Sequence, residues 1–273
     1  MERKSESKMK IGFIGAGNMG SAILKGIAGS AMAAETELFA FDSFTEKTKE
    51  LECFGVKPLS SAAEVAASCK FVFLAIKPQQ FDTLLPEIRS SVTEDTVIVS
   101  IAAGITAEYI RSQTIPEAKV VLVMPNTPLL LGAGATALAC CQPTTAEEFA
   151  VVQKIFDACG ITAVISPDKM KEIIAINGSS PAFIYLFAKG FVDYAKKEGI
   201  SEDVALPLFA QSLIGSAKML TDSGMTVDEL IRMVSSPGGT TLAGLDAYYE
   251  GKLTEITDEA CTRCTKRAYE LSK

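Results

Sequence analysis

Lys10-Ile11-Gly12-Phe13-Ile14-Gly15-Ala16-Gly17-Asn18-Met19-Gly20 decides how the chain folds. An apolar run passes directly into three glycines spaced G-x-G-x-x-G, and a helical pattern continues from Ser21 to Gly29. Glycines cluster in ordinary turns too, so the spacing alone says little; between a strand and a helix it reads as a dinucleotide fingerprint. Gly15 permits a tight turn, Gly17 lets the backbone approach a pyrophosphate, and Gly20 lets helix and strand pack closely. The helix start then faces the phosphates. Ile14 through Gly20 are therefore the first candidate cofactor-binding residues.

Outward from this loop, short apolar runs alternate with amphipathic stretches, as in a parallel sheet covered by helices. Strands are expected at 10–14, 37–41, 71–76, 96–101, 119–124, 134–140 and 161–165. Ser61 with Glu64, Thr144 with Glu147, and Thr226 with Glu229 have capping-box spacing and mark helix starts. After Pro167 the strand-like runs stop and helical periodicity continues to the end. The reading is α/β: a Rossmann NAD(P)-binding domain over residues 9–166, then an all-helical domain over 167–273. Stretches such as Ala205–Leu220 are more apolar than a small bundle needs, which suggests a subunit interface, although an internal core explains part of it.

Asp42 lies 22 residues beyond Gly20, where an acid accepts from the adenosine ribose 2′-hydroxyl, which favours NADH over NADPH. Ser43, Thr45 and Lys47 follow closely and could reorganise that end. Ala75, Ile76, Lys77 and Pro78, and then Ala102 and Ala103, fall at strand ends where ligands bind in open α/β sheets; they are candidates for the nicotinamide side. Pro78 is equally suited to opening a helix.

Of 273 residues, 48% are hydrophobic and 22% charged, enough for a sizeable core. A net charge of −7 disfavours nucleic acid and anionic membranes and fits a small-molecule partner. No window approaches the roughly 18 unbroken apolar residues of a membrane span. The polar first eight residues do not resemble a secretory signal, so a cytoplasmic location is expected. Seven scattered cysteines suggest reduced thiols, and Cys261 and Cys264 are read as incidental helix thiols, since the chain has no histidine and no second C-x-x-C. No metal site is expected.

A second constellation, Ser235-Ser236-Pro237-Gly238-Gly239-Thr240-Thr241-Leu242, hands a proline-glycine turn over to an apolar helix. Its N–H groups and hydroxyls suit a carboxylate; the same composition also makes an ordinary turn and cap. With Ala75-Ile76-Lys77-Pro78-Gln79, Ser100-Ile101-Ala102-Ala103-Gly104, Met124-Pro125-Asn126-Thr127-Pro128, Gly215-Ser216-Ala217-Lys218-Met219-Leu220 and the glycine loop, it runs in the order found in the pyrroline-5-carboxylate reductases, which the chain resembles from Met9 onward. Ser180, Leu122, Thr226, Ile231 and Arg232 depart from that pattern.

The resemblance implies a Rossmann domain followed by a dimerising helical domain, often in rings of dimers. It also implies reduction of L-1-pyrroline-5-carboxylate to L-proline with NAD(P)H, usually NADPH. The mechanism expected for that reaction puts the substrate carboxylate on Ser236, Gly238, Gly239, Thr240 and Thr241, with Thr241 the candidate catalytic residue as hydrogen-bond partner of the ring nitrogen. Two alternatives stay open: another imine or β-hydroxy-acid oxidoreductase, with Lys171 or Lys189 as acid-base group, and a non-enzymatic nicotinamide-sensing paralogue.

Overall fold

The computed structural model describes residues 8–272; all but the last of the eight polar N-terminal residues lie outside the described residues. The chain forms two compact units. One runs to Ser179 and includes the chain from Cys264; the other is Ser180–Arg263.

The first unit is built on eight strands: β1 (Met9–Ile14), β2 (Thr36–Phe41), β3 (Val56–Pro58), β4 (Phe71–Leu74), β5 (Val97–Ser100), β6 (Lys119–Met124), β7 (Gly134–Cys141) and β8 (Gly160–Val164). They form one sheet in the order β3-β2-β1-β4-β5-β6-β7-β8. Helices α1 (Asn18–Ala28), α2 (Thr45–Lys49), α3 (Ala62–Ser68), α4 (Phe81–Ile88), α5 (Ala107–Gln113) and α6 (Ala146–Asp157) connect them. Because strand side chains alternate between faces, β1, β2 and β4 to β7 each feed two cores. Val72, Leu74, Ile98, Val120 and Leu122 pack with α3, α4 and α5. Phe13, Phe71, Phe73, Val99 and Val121 pack with α1 and α6. On that second face Phe13 and Phe73 stack with ring centroids 4.4 Å apart, and Phe156 of α6 joins them.

All seven expected strands are present within a residue or two of their bounds. Four local readings need correction. β7 pairs antiparallel with β6, so the sheet is mixed. Only Pro125–Ala133 joins the two strands, too short for the dozen or more residues of a parallel crossover. β3, a three-residue edge strand ending in Pro58, was not anticipated; so short a strand has no periodicity to read. The α6 cap is Thr145 with Glu148, one residue later than expected, because the Thr144 hydroxyl is buried and donates to the Val120 carbonyl. At α3, Ser61 accepts from Glu64 N–H as expected, but the Glu64 carboxylate turns to Ser60.

The second unit is helical: α7 (Ser180–Lys197), α8 (Glu202–Asp222), α9 (Val227–Met233), α10 (Thr240–Glu250) and the first part of α11 (Leu253–Leu271). Thr226 and Glu229 form the expected reciprocal cap on α9. Phe191 stacks on Phe209 at 4.1 Å, with Phe187 and Tyr248 beside it. Yet large apolar side chains of α7 and α8 stay open to solvent, Leu186 at 71% and Leu208 at 67%. α8 also reaches a mean hydropathy of 1.2 over 18 residues, long and apolar enough by composition to cross a membrane, a stretch that a search for unbroken apolar runs passes over.

Candidate active site

The strand order reverses beside β1, and in open α/β sheets ligands bind in the crevice at such a switch point. The glycine loop and the segment after β4 meet there. Gly15 has φ +103°, and a Cβ on it would lie 2.4 Å from the Ala75 carbonyl oxygen. A Cβ on Gly20 would lie 2.3 Å from the Gly15 carbonyl oxygen, whereas one on Gly17 would meet nothing within 4 Å. Two of the glycines are therefore required by the protein itself. The third keeps space clear beside the start of α1, as a dinucleotide pyrophosphate needs.

A groove of about 750 Å³ opens over the crevice, lined by Ile14, Gly15, Gly17, Asp42, Ala75, Ile76 and Lys77 among the expected residues. Ala16, Gly17 and Asn18 line an adjoining groove with Ser21 and Lys25. Sequence reasoning missed Phe41, Phe44, Gln79 and Gln80 on the main groove. An aromatic inside the polar turn 42–47 was the available signal for Phe44. Met19 packs instead against the core beneath the sheet, and Pro78 opens a short turn in which the Lys77 N–H donates to Gln80 Oε1. Ala102 lines a separate cavity of about 470 Å³ with Gly104, Leu122, Met124 and Lys171, and Ala103 is exposed nearby.

Asp42 is turned inward. Its Oδ2 accepts the Ala16 N–H at 2.8 Å, its Oδ1 accepts the Phe44 N–H at 2.9 Å, and Lys47 Nζ stands 3.4 Å from Oδ1. The carboxylate thus binds the glycine loop to the turn after β2. Where β6 ends and β7 begins, Asn126 Oδ1 accepts from the Ala135 N–H, and Asn177 Nδ2 donates to the Met124 and Ala135 carbonyls. These bonds fix the ends of β6 and β7.

In the helical unit, Gly238 at φ +71° turns the chain into α10, with Gly239 as the extended residue preceding it. The Gly239 N–H donates to the Ser236 carbonyl at 2.9 Å, so the carboxylate-binding role expected of that N–H is already occupied inside the loop. Thr240 and Thr241 open α10, where N–H groups have no intrahelical acceptor. Both threonines and Ser236 are exposed. Of the two alternative acid-base lysines, Lys171 lies over the Tyr269 ring at 4.6 Å and Lys189 pairs with Asp193 one turn along an exposed helix.

The chain as a whole has relatives among known proteins. The chain is 36% identical to pyrroline-5-carboxylate reductase of Escherichia coli strain K12 over 265 residues, 97% of this chain and 98% of that protein.

The chain belongs to the pyrroline-5-carboxylate reductase family.

The Methanosarcina acetivorans member is 32% identical with the same coverage. Residues 167–271 match the family described as pyrroline-5-carboxylate reductase dimerisation, and residues 10–104 match NADP oxidoreductase, coenzyme F420-dependent. The crystal structure of Plasmodium falciparum pyrroline carboxylate reductase with NADP bound superposes with a TM-score of 0.88 at 28% identity, covering 97% of this chain and 98% of that one. A Rossmann domain followed by a helical dimerisation domain, the architecture read from the sequence, is the architecture of this oxidoreductase family.

Proposed function

We propose that the chain reduces L-1-pyrroline-5-carboxylate to L-proline, closing proline synthesis. The observation that carries this reading is the intact Ser236–Thr241 loop, whose Gly238 turn leads two threonines into the open first turn of α10 in a chain that also carries the full dinucleotide cradle.

When bound, the nicotinamide dinucleotide supplies a hydride to the C5 imine carbon, and the ring nitrogen carries a proton taken from solution. The protein's own part is positioning, which turns an encounter into a near-attack geometry. The Thr240 and Thr241 N–H groups hold the substrate carboxylate, and Ser236 closes the turn. A ligand lacking that carboxylate leaves those donors unpaired, and this sets specificity. The Thr241 hydroxyl hydrogen-bonds the ring nitrogen. A protonated imine is already a good electrophile, so a chain without histidine needs no strong acid here. Ile14–Asn18, with Ala75, Ile76 and Lys77, hold the dinucleotide, Gly17 providing the open approach.

The apolar faces of α7 and α8 pack against a second copy, giving a homodimer or a ring of dimers, and the enzyme works in the cytoplasm. Lys171 and Lys189, engaged with Tyr269 and Asp193, give no support to the hydroxy-acid alternative. The deciding experiment follows oxidation of NADPH and of NADH with pyrroline-5-carboxylate as acceptor. Turnover that falls sharply in Thr241→Val supports the assignment; no turnover with either cofactor removes it.

A further inference from the structure

The cavity of about 470 Å³ that Ala102 lines shares no lining residue with either cofactor groove, and hydride transfer gives it no role. It lies on the sheet face covered by α3, α4 and α5, where Leu122, Met124, Met170 and Ile105 supply an apolar wall continuous with the core. A concavity of this size, mostly apolar with a few polar groups, is the form in which proteins hold small organic ligands.

The polar groups of the cavity are unevenly committed. Ser100, at the end of β5, is 1% exposed, and its Oγ takes one long bond, from the Ala102 N–H at 3.5 Å. A hydroxyl offers one donor and two acceptor positions, so most of that capacity is unmet in a cavity the side chain lines. Glu108, in the first turn of α5, lines the exposed part and makes neither a hydrogen bond nor an ion pair among the described residues. Arg111, one turn further along α5, is committed to the Ala118 and Gln142 carbonyls. Asp168 accepts from the Ser166 hydroxyl, which holds its carboxyl below the ordinary value, and pairs with Lys169 at 3.5 Å. That pair is exposed and contributes little. The one cation lining the cavity, Lys171, has its ammonium 4.6 Å from the centre of the Tyr269 ring. The uncommitted charge is negative.

We propose that this cavity is a second ligand site, for an organic cation: an amine on a short apolar chain that carries a neutral hydrogen-bonding group. The chain lies along Ile105, Leu122, Met124 and Met170. Glu108 and Asp168 pair the ammonium at the exposed end, and Ser100 bonds the neutral group at the buried end. The site goes beyond the reductase reading and does not rest on it.

The test titrates 6-amino-1-hexanol and 6-hydroxyhexanoate, equal in length and opposite in charge, onto the full chain by calorimetry. The amine should bind about tenfold or more tighter than the carboxylate, the scale of a charge-assisted hydrogen bond. Glu108→Gln and Ser100→Ala should each weaken the amine severalfold, and Glu108→Lys should reverse the order of the two probes. Leu122→Phe fills the apolar wall and should abolish binding. Glu108 is exposed, so its variants keep the test decisive even if the buried substitutions do not fold. An amine held only by the chain's net charge of −7 would bind Glu108→Gln as tightly as the parent. That result, equal binding of the two probes, or no binding of the amine at millimolar concentration would overturn the proposal.

Discussion

The Ala16 N–H donates to Asp42 Oδ2 at 2.8 Å across 26 residues of chain, so the loop at the head of β1 and the turn after β2 are a single piece of structure. Ala16 is buried, and the same carboxylate also takes the Phe44 N–H. Removing it strands the buried Ala16 N–H, at a cost of about 1–3 kcal/mol. Asp42→Ala should therefore lower the free energy of unfolding by about that much with no ligand present, read from the urea midpoint. A variant as stable as the parent would show that the bond contributes nothing net.

The three loop glycines should separate by what they serve. A Cβ at Gly20 collides with the Gly15 carbonyl at 2.3 Å, so Gly20→Ala should unfold or severely destabilise the protein. Nothing stands within 4 Å of a Cβ at Gly17. Gly17→Ala should keep the parent melting temperature yet lose dinucleotide affinity by tenfold or more, about the effect of keeping backbone from its phosphate contact. Thermal melts beside a cofactor fluorescence titration distinguish the two. A Gly17→Ala protein that binds normally would mean the pyrophosphate lies elsewhere.

The glycine loop was legible because three requirements, turn, approach and packing, coincide on three residues at fixed spacing after a strong strand pattern. The antiparallel β7 was hidden because an apolar run carries no direction; the length of Pro125–Ala133 does, and it is the quantity to weigh. Thr144 and Thr145 offer equivalent spacing to Glu147 and Glu148, and only burial of the Thr144 hydroxyl against Val120 chooses between them. Asp42 stands where the fingerprint expects it, but its bonding partners come from segments on both sides of it in the chain, and spacing cannot show which way a carboxylate turns. In the helical unit, the Gly238–Thr241 turn could be read as a turn, while the engagement of the Gly239 N–H with Ser236 is set by the loop's closure.

That closure makes Gly239 and Thr241 behave differently on mutation. A Cβ at Gly239 would come within 3.0 Å of the Ser236 carbonyl oxygen, displacing the loop, so Gly239→Ala should raise KM for the substrate. Thr241→Val keeps the backbone and removes the hydroxyl. If that hydroxyl meets the ring nitrogen, kcat should fall by about tenfold or more with a smaller change in KM, the pattern of a contact strengthened in the transition state. Steady-state kinetics on both variants would contradict the assignment if Thr241→Val changed KM alone.

The open apolar faces of the helical unit predict concentration-dependent assembly. Leu186 and Leu208 are among the most exposed aliphatic side chains of α7 and α8, and residues 167–271 match a dimerisation family. Placing a charge in an interface core desolvates it without a partner. Leu186→Glu together with Leu208→Glu should shift the parent oligomer to monomer in size-exclusion chromatography with light scattering. An unchanged mass would move the interface to other faces of these helices.

Glu148 gives the fold an acid limit that can be isolated. Burial opposes its ionisation, but Lys119 Nζ at 2.8 Å, the Thr145 N–H and Lys70 Nζ at 3.2 Å outweigh it and hold the carboxyl below its ordinary value of 4.5. A carboxyl with a lower pKa folded than unfolded binds its proton more readily in the unfolded chain. Its stabilisation is therefore complete above the unfolded value of 4.5 and is lost as the pH falls through the folded value. Glu148→Gln removes that dependence and leaves the partly buried Lys119 without its carboxylate. The gap in melting temperature between parent and Glu148→Gln should be widest near about pH 7 and narrow steadily toward about pH 3. Other shifted carboxylates, such as Glu64 and Glu229, are common to both proteins and cancel in the comparison. A gap that stays constant across the range would show that Glu148 acts through packing and its cap on α6, and that its charge contributes nothing.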